Sequence, residues 1–79
     1  MNSNYFVDTT ELKKIMIDKG LEKIIDLSEA STINRNTLSM VLSGDMKPST
    51  TVIEKLMYAL DIPPEKAGLI FFKSNLRKS

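Results

Sequence analysis

Five side chains between Asn34 and Gly44 have types and spacing suited to reading a hydrogen-bonding surface. Arg35, Asn36, Ser39, Met40 and Ser43 share one face of a helix, whereas Leu38, Val41 and Leu42 recur at i, i+3 and i+4 on the other. The first face is polar yet almost uncharged. Arg can grip guanine O6 and N7, Asn can grip adenine N6 and N7, Ser adapts to either, and an apolar side chain such as Met can touch a thymine methyl. Asn34 is placed to cap the helix at its start, and Gly44 to end it in the left-handed conformation. The spacing therefore predicts a helix over about 34–43 shaped to enter a DNA major groove. A plain solvated surface helix would use the same residue types, so the stretch has to be weighed with the elements around it.

Those elements must fit in 79 residues, which is one domain. Catalysis has few candidates. There is no His and no Cys, so the commonest general base, thiolate chemistry and disulfides are absent from the sequence. The ten carboxylates have no nucleophile partner and there is no Gly-rich phosphate loop. Glu22/Asp26 and Asp26/Glu29 are more simply solvated helix faces than a metal site. The sequence thus predicts no enzyme, catalytic residue, metal, cofactor or small-molecule substrate. Without a long apolar run or a signal-peptide pattern, no membrane association is expected, and a cytoplasmic setting is.

The charge balance argues against broad affinity for nucleic acid. Net charge is only +1. Over residues 8–32, four lysines (Lys13, Lys14, Lys19, Lys23) face six carboxylates, a balance of −2. Lys73, Arg77 and Lys78 make the C-terminal end basic. A footprint on DNA must be local, and affinity for random DNA weak.

Met1–Val7 lacks periodicity, and residues 1–8 are expected to be a flexible lead-in. Asp8 with Glu11 three residues on forms a capping box, and Val7 with Leu12 a hydrophobic staple. A first helix is predicted over about 9–19, burying Leu12, Ile15 and Met16, with Gly20 as its stop. A second is predicted over about 22–31, with Ile24, Leu27, Ser28 and Ser31 inward and small Ser28 admitting another helix. Residues 30–34 read as a turn, with Ile33 plugging the core. Pro48 closes the loop after Gly44. Ser49 caps a fourth helix over about 50–60 that buries Val52, Ile53, Leu56, Met57 and Leu60. Pro64 and Glu65 begin a fifth, which carries Ala67, Leu69, Ile70 and Phe71 to about Phe72. No segment has a strand's alternation, so the domain, residues 9–72, is predicted to be all-α with five helices, followed by a basic tail over 73–79.

Two helices joined by a short turn, the second polar and outward, form a helix-turn-helix. The run Leu27-Ser-Glu-Ala-Ser-Thr-Ile-Asn-Arg-Asn-Thr-Leu-Ser-Met-Val-Leu-Ser-Gly44, then Lys47-Pro48-Ser49, Val52-Ile53, Leu56 and Ala59-Leu-Asp-Ile62, resembles the Cro/phage-repressor type of helix-turn-helix domain, the XRE-like family. The resemblance spans about residues 9–72. The ending Ala67-Gly-Leu-Ile-Phe-Phe72 looks like small prophage-encoded regulators of this type. The resemblance implies a lambda-repressor-like fold and base-reading roles for Arg35, Asn36, Ser39 and Met40. It implies phosphate contacts for Lys23, Asn34, Thr37 and Lys47, with Leu27, Ile33, Leu38 and Val41 in the core.

Three positions depart from the family pattern. Thr32 stands where the turn usually has Gly. Lys23-Ile24 replaces the Gln often found at the start of the second helix, after a link one residue longer. Asp45 occupies a usually basic position and would repel a phosphate. Phe71 and Phe72 lie about 100° apart on one helix, so both cannot point inward, and the pair is a candidate dimer surface. The resemblance implies a transcriptional regulator, repressor- or Cro-like, binding a two-fold-related double-stranded operator as a homodimer. The other reading is a protein-binding module on the same fold, an antitoxin-like or anti-repressor partner, favoured by the low net charge, Asp45 and the Phe pair.

Overall fold

Side chains that satisfy the first N–H groups mark where three of the five helices begin. The fold is a computed structural model that describes residues 5–74. Its elements are β1 (Tyr5–Phe6), α1 (Thr9–Asp18), α2 (Ile24–Ser31), α3 (Arg35–Ser43), α4 (Thr50–Leu60), α5 (Pro64–Phe71) and β2 (Lys73–Ser74). Asp8 Oδ1 accepts from Glu11 N at 3.2 Å and Ser49 Oγ from Val52 N at 3.2 Å, so both predicted caps form. The reciprocal half of the Asp8 capping box does not govern the cap. The Asp8 N–H instead donates to Ile70 O at 2.7 Å, which ties the start of α1 to the end of α5.

Three helices, α1, α3 and α4, end by one scheme. At Gly20, Gly44 and Asp61 the chain turns left-handed, with φ of +72°, +86° and +54°. The next residue then donates back over the last turn: Leu21 N to Met16 O, Asp45 N to Met40 O and Ile62 N to Met57 O, at 2.8–2.9 Å. These paired bonds are Schellman closures, which satisfy carbonyls the helix would otherwise leave open. The first closure explains why α2 starts at Ile24 rather than near Glu22: residues 20–23 complete the turn, and Leu21 packs against the core from within the link.

Each helix gives at least one fully buried side chain to a single core: Leu12, Leu27, Leu38, Leu56, Leu60 and Ile70. Burial of each such side chain contributes about 1.5–3 kcal/mol. α3 packs against α1 and α2, α2 also packs against α4, and α5 lies against α1 and α4. Ile33 is buried as expected. Ile15, Ile24, Val52 and Met57 are only half-buried at the core's edge, and Leu69 points to solvent.

One feature is absent from the sequence reading. Tyr5–Phe6 and Lys73–Ser74 pair antiparallel, Tyr5 opposite Ser74 and Phe6 opposite Lys73. Two-residue strands are too short for any alternation to register. The Asp8–Ile70 bond already brings the two flanking segments side by side. The domain remains all-α in class, with one turn of ladder at its seam.

Candidate nucleic-acid interface

The turn between α2 and α3 sets the angle at which α3 is presented, and hydroxyls build it. Thr32 follows α2 in the left-handed region, φ 60° and ψ 25°. A β-branched residue is costly there, by roughly 1–2 kcal/mol. The compensation is local. Ser31 Oγ donates to Leu27 O at 2.7 Å and accepts from Ile33 N at 3.2 Å. Ser28 Oγ donates to Ile33 O at 2.5 Å. Both backbone polar groups of buried Ile33 are thus held by serines. The Ser28 hydroxyl thus has a use in the turn beyond the small size noted in the sequence. The Thr32 hydroxyl donates to Ser31 O.

α3 runs over the predicted residues. Asn34 Oδ1 accepts from Asn36 N at 2.7 Å, and Gly44 closes the far end. Leu38, Val41 and Leu42 are buried. Arg35, Asn36, Ser39 and Ser43 are exposed, Met40 is 38% exposed, and Thr37 is half-buried at the boundary of the face. The base-reading candidates therefore share one solvent-facing strip. Because the Asn34 cap occupies Oδ1, only its amide NH2 can meet a phosphate oxygen.

The lysines among the phosphate candidates lie at the start of α2 and in the loop after α3. Lys23 is the N-cap residue of α2 and makes no side-chain capping bond. Lys47 is exposed in the loop after α3 and lines a cleft of about 360 Å³ with Asp8, Thr9, Thr10 and Gly44. Asp8 therefore shares the ground from which Lys47 would act. Asp45 Oδ2 accepts from Ser43 Oγ at 3.0 Å, so the carboxylate is fastened to the last turn of α3. Between residues 34 and 48 the charges are Arg35, Lys47 and Asp45.

A groove of about 380 Å³ adjoins the strip and escaped the sequence reading. It is lined by Lys13, Ile17, Glu22 and Ile24 together with Ser39, Leu42 and Ser43. Ile17 and Ile25 stay largely exposed nearby in the chain. The signal was present: Ile17 lies off the stripe of Leu12 and Met16, and Ile25 directly follows Ile24. The Phe pair divides as its angular separation requires, with Phe71 in the core at 3% exposed and Phe72 at 53%. Phe71 is thus unavailable as surface, and Phe72 with exposed Leu69 represents the pair there. Arg77 and Lys78 lie outside the described residues. Among the described residues there is no cluster of three metal-ligating side chains, and no helix is long and apolar enough to cross a membrane.

A capped, outward polar helix set by a short turn on a helical core is a helix-turn-helix arrangement, and a family model, the Cro/C1-type HTH DNA-binding domain, matches residues 11–66. The chain belongs to the Cro/C1-type helix-turn-helix family. The match runs from α1 into α5 and takes in every base-reading and phosphate candidate. No curated protein and no solved structure matches the chain. As a Cro/C1-type domain it is a DNA-binding module of the kind found in transcription regulators. Its turn shows how the family geometry is met without the usual glycine, through Thr32 and two serines.

Proposed function

We propose that this Cro/C1-type domain is a sequence-specific regulator of transcription, repressor- or Cro-like, that lays α3 in the major groove of double-stranded DNA. Arg35, Asn36, Ser39 and Met40 would read base edges. Lys23, Asn34, Thr37 and Lys47 would contact phosphates. The observation that carries this reading is the α3 strip itself: Leu38, Val41 and Leu42 are spent on the core, both ends are capped, and Arg35, Asn36, Ser39 and Met40 face solvent. The protein would act as a homodimer on two-fold-related half-sites, with Phe72 and Leu69 of α5 as the apolar contribution to the interface. Recognition helices about 34 Å apart would then meet successive major grooves. A cytoplasmic location and, from the C-terminal likeness, a prophage-type setting go with this function.

The second reading is a protein-binding module on the same scaffold, supported by the apolar groove at Ile17, Ile24 and Leu42 and by the net charge of +1. Binding-site selection from random duplexes, followed by fluorescence-polarisation titration of the enriched sites, separates the two. A recovered motif with two-fold symmetry supports the regulator as a dimer. Failure to enrich any motif over repeated rounds favours the protein-binding module.

A further inference from the structure

We propose that Asp45 is a specificity-determining residue, reading an amino group on a base edge at the far end of α3; this rests on the DNA-reading role given above. The exposed face of α3 is polarised along its length. Its start combines the Arg35 guanidinium, the Asn36 amide and the positive end of the helix dipole. Its end combines helix carbonyls, the Ser43 hydroxyl and the Asp45 carboxylate. The Ser43 hydrogen is shared between Met40 O at 3.1 Å and Asp45 Oδ2 at 3.0 Å. Both end side chains therefore present acceptor lone pairs outward. The Schellman closure, Asp45 N to Met40 O at 2.9 Å, fixes the backbone that bears the carboxylate.

A carboxylate beside DNA is repelled by phosphates and finds a favourable partner only in an exposed amino group, cytosine N4 being the best match. Asp45 thereby lowers affinity for every sequence and returns part of that loss on sequences with an amino group at one position. In a protein of net charge +1, this sharpens choice and keeps random binding weak. The two poles of the strip also set a spacing. Eight residues separate Arg35 from Ser43, about 12 Å along a helix at its usual rise, and the Gly44 closure folds Asp45 back beside Ser43. At about 3.4 Å per base pair, the Asp45-sensitive position lies roughly four base pairs from the Arg35-sensitive one.

The test is binding-site selection and polarisation titration with the full chain, its Asp45→Asn and Asp45→Ala variants, and Ser43→Ala, each checked for an unchanged thermal melt. Asp45→Asn removes charge but keeps an acceptor. It should raise affinity for random duplex about five-fold at low salt, and gain less on the selected site. Asp45→Ala should flatten preference at a single position roughly four base pairs from the Arg35 position, and Ser43→Ala should weaken the same preference. If the parent chain selects a motif, but the Asp45 variants raise binding to all sequences alike with no position changed, Asp45 is a charge and not a reader, and the proposal is overturned. If the parent chain selects no motif, the DNA-reading role itself fails, and this assignment with it.

Discussion

Replacing Ser31 by Ala tests whether hydroxyls hold the turn that presents α3. Ser31 is 4% exposed. Its Oγ accepts from Ile33 N at 3.2 Å and donates to Leu27 O at 2.7 Å. The substitution deletes both bonds with unequal consequences. Leu27 O lies within α2 and keeps its helical donor, so its loss is small. Ile33 N belongs to a buried residue and loses its acceptor. An unsatisfied buried donor costs about 1–3 kcal/mol. Alanine recovers a few tenths of a kcal/mol in helix propensity at the last residue of α2. The net expectation is a destabilisation of about 1–2 kcal/mol. In a domain of this size that lowers Tm by roughly 4–16 °C. Urea unfolding followed by circular dichroism reads the effect as a lower midpoint at an unchanged slope. Ser28→Ala supplies the cycle: both serines hold Ile33, so the double variant should depart from additivity by at least about 0.5 kcal/mol. A Ser31→Ala cost below about 0.5 kcal/mol, with additive behaviour, would falsify the hydroxyl-built turn and mean that water serves the Ile33 amide equally well.

Other substitutions probe neighbouring parts of the structure. Thr32→Gly should stabilise by about 0.5–1 kcal/mol in the same urea assay, since the relief of left-handed strain exceeds the added entropy of the unfolded chain. Gly44→Ala should cost about 1–2 kcal/mol by strain alone, because a Cβ there would meet nothing within 4 Å. On a selected duplex, Arg35→Ala should cost about 1–3 kcal/mol and relax one base-pair preference, while Lys47→Ala should weaken all sites alike and flatten the salt slope by about one. Equal losses on every sequence for both variants would remove Arg35 from base reading. Leu69→Glu with Phe72→Glu should shift a dimer to monomer in sedimentation equilibrium and leave the melt of the monomer near its original midpoint, whereas Phe71→Ala should lose about 3–5 kcal/mol of stability.

Residue types with one dominant physical use were legible. Asn34, Ser49 and Gly44 declared their caps, and α3 and α4 fall within the predicted bounds. Leu38, Val41 and Leu42 are buried because no other helical phase gathers three apolar residues on one face. Residues with several uses misled. The sequence predicts only that Ser28 and Ser31 face inward, and their hydroxyls also hold the backbone of Ile33, five and two positions on. The second helix is predicted from about Glu22, but the closure at Gly20 takes up the link and α2 starts at Ile24. The ladder of Tyr5–Phe6 with Lys73–Ser74 depends on two segments at opposite ends of the chain, and no local pattern encodes such a meeting. The groove beside Ser39 and Ser43 is legible only once α1 and α3 are known to lie together.

The three departures from the family pattern share a consequence. Thr32 is supported by serine hydroxyls, the longer link by the closure at Gly20, and Asp45 by its bond to Ser43 and its place in the Gly44 closure. Each support is made of backbone and hydroxyl groups at a helix end. The side chains of Arg35, Asn36, Ser39 and Met40 take no part in these supports, to which the strip lends only the Ser43 hydroxyl and the Met40 carbonyl. Exposed positions of this kind tolerate substitution within about 0.5 kcal/mol. The exposed residues of α3 can therefore change without disturbing how α3 is held, a separation that suits the reading role proposed for it. The proposed role rests on the same exposure: Arg35, Asn36, Ser39 and Met40 lie in solvent on the side of α3 away from buried Leu38, Val41 and Leu42.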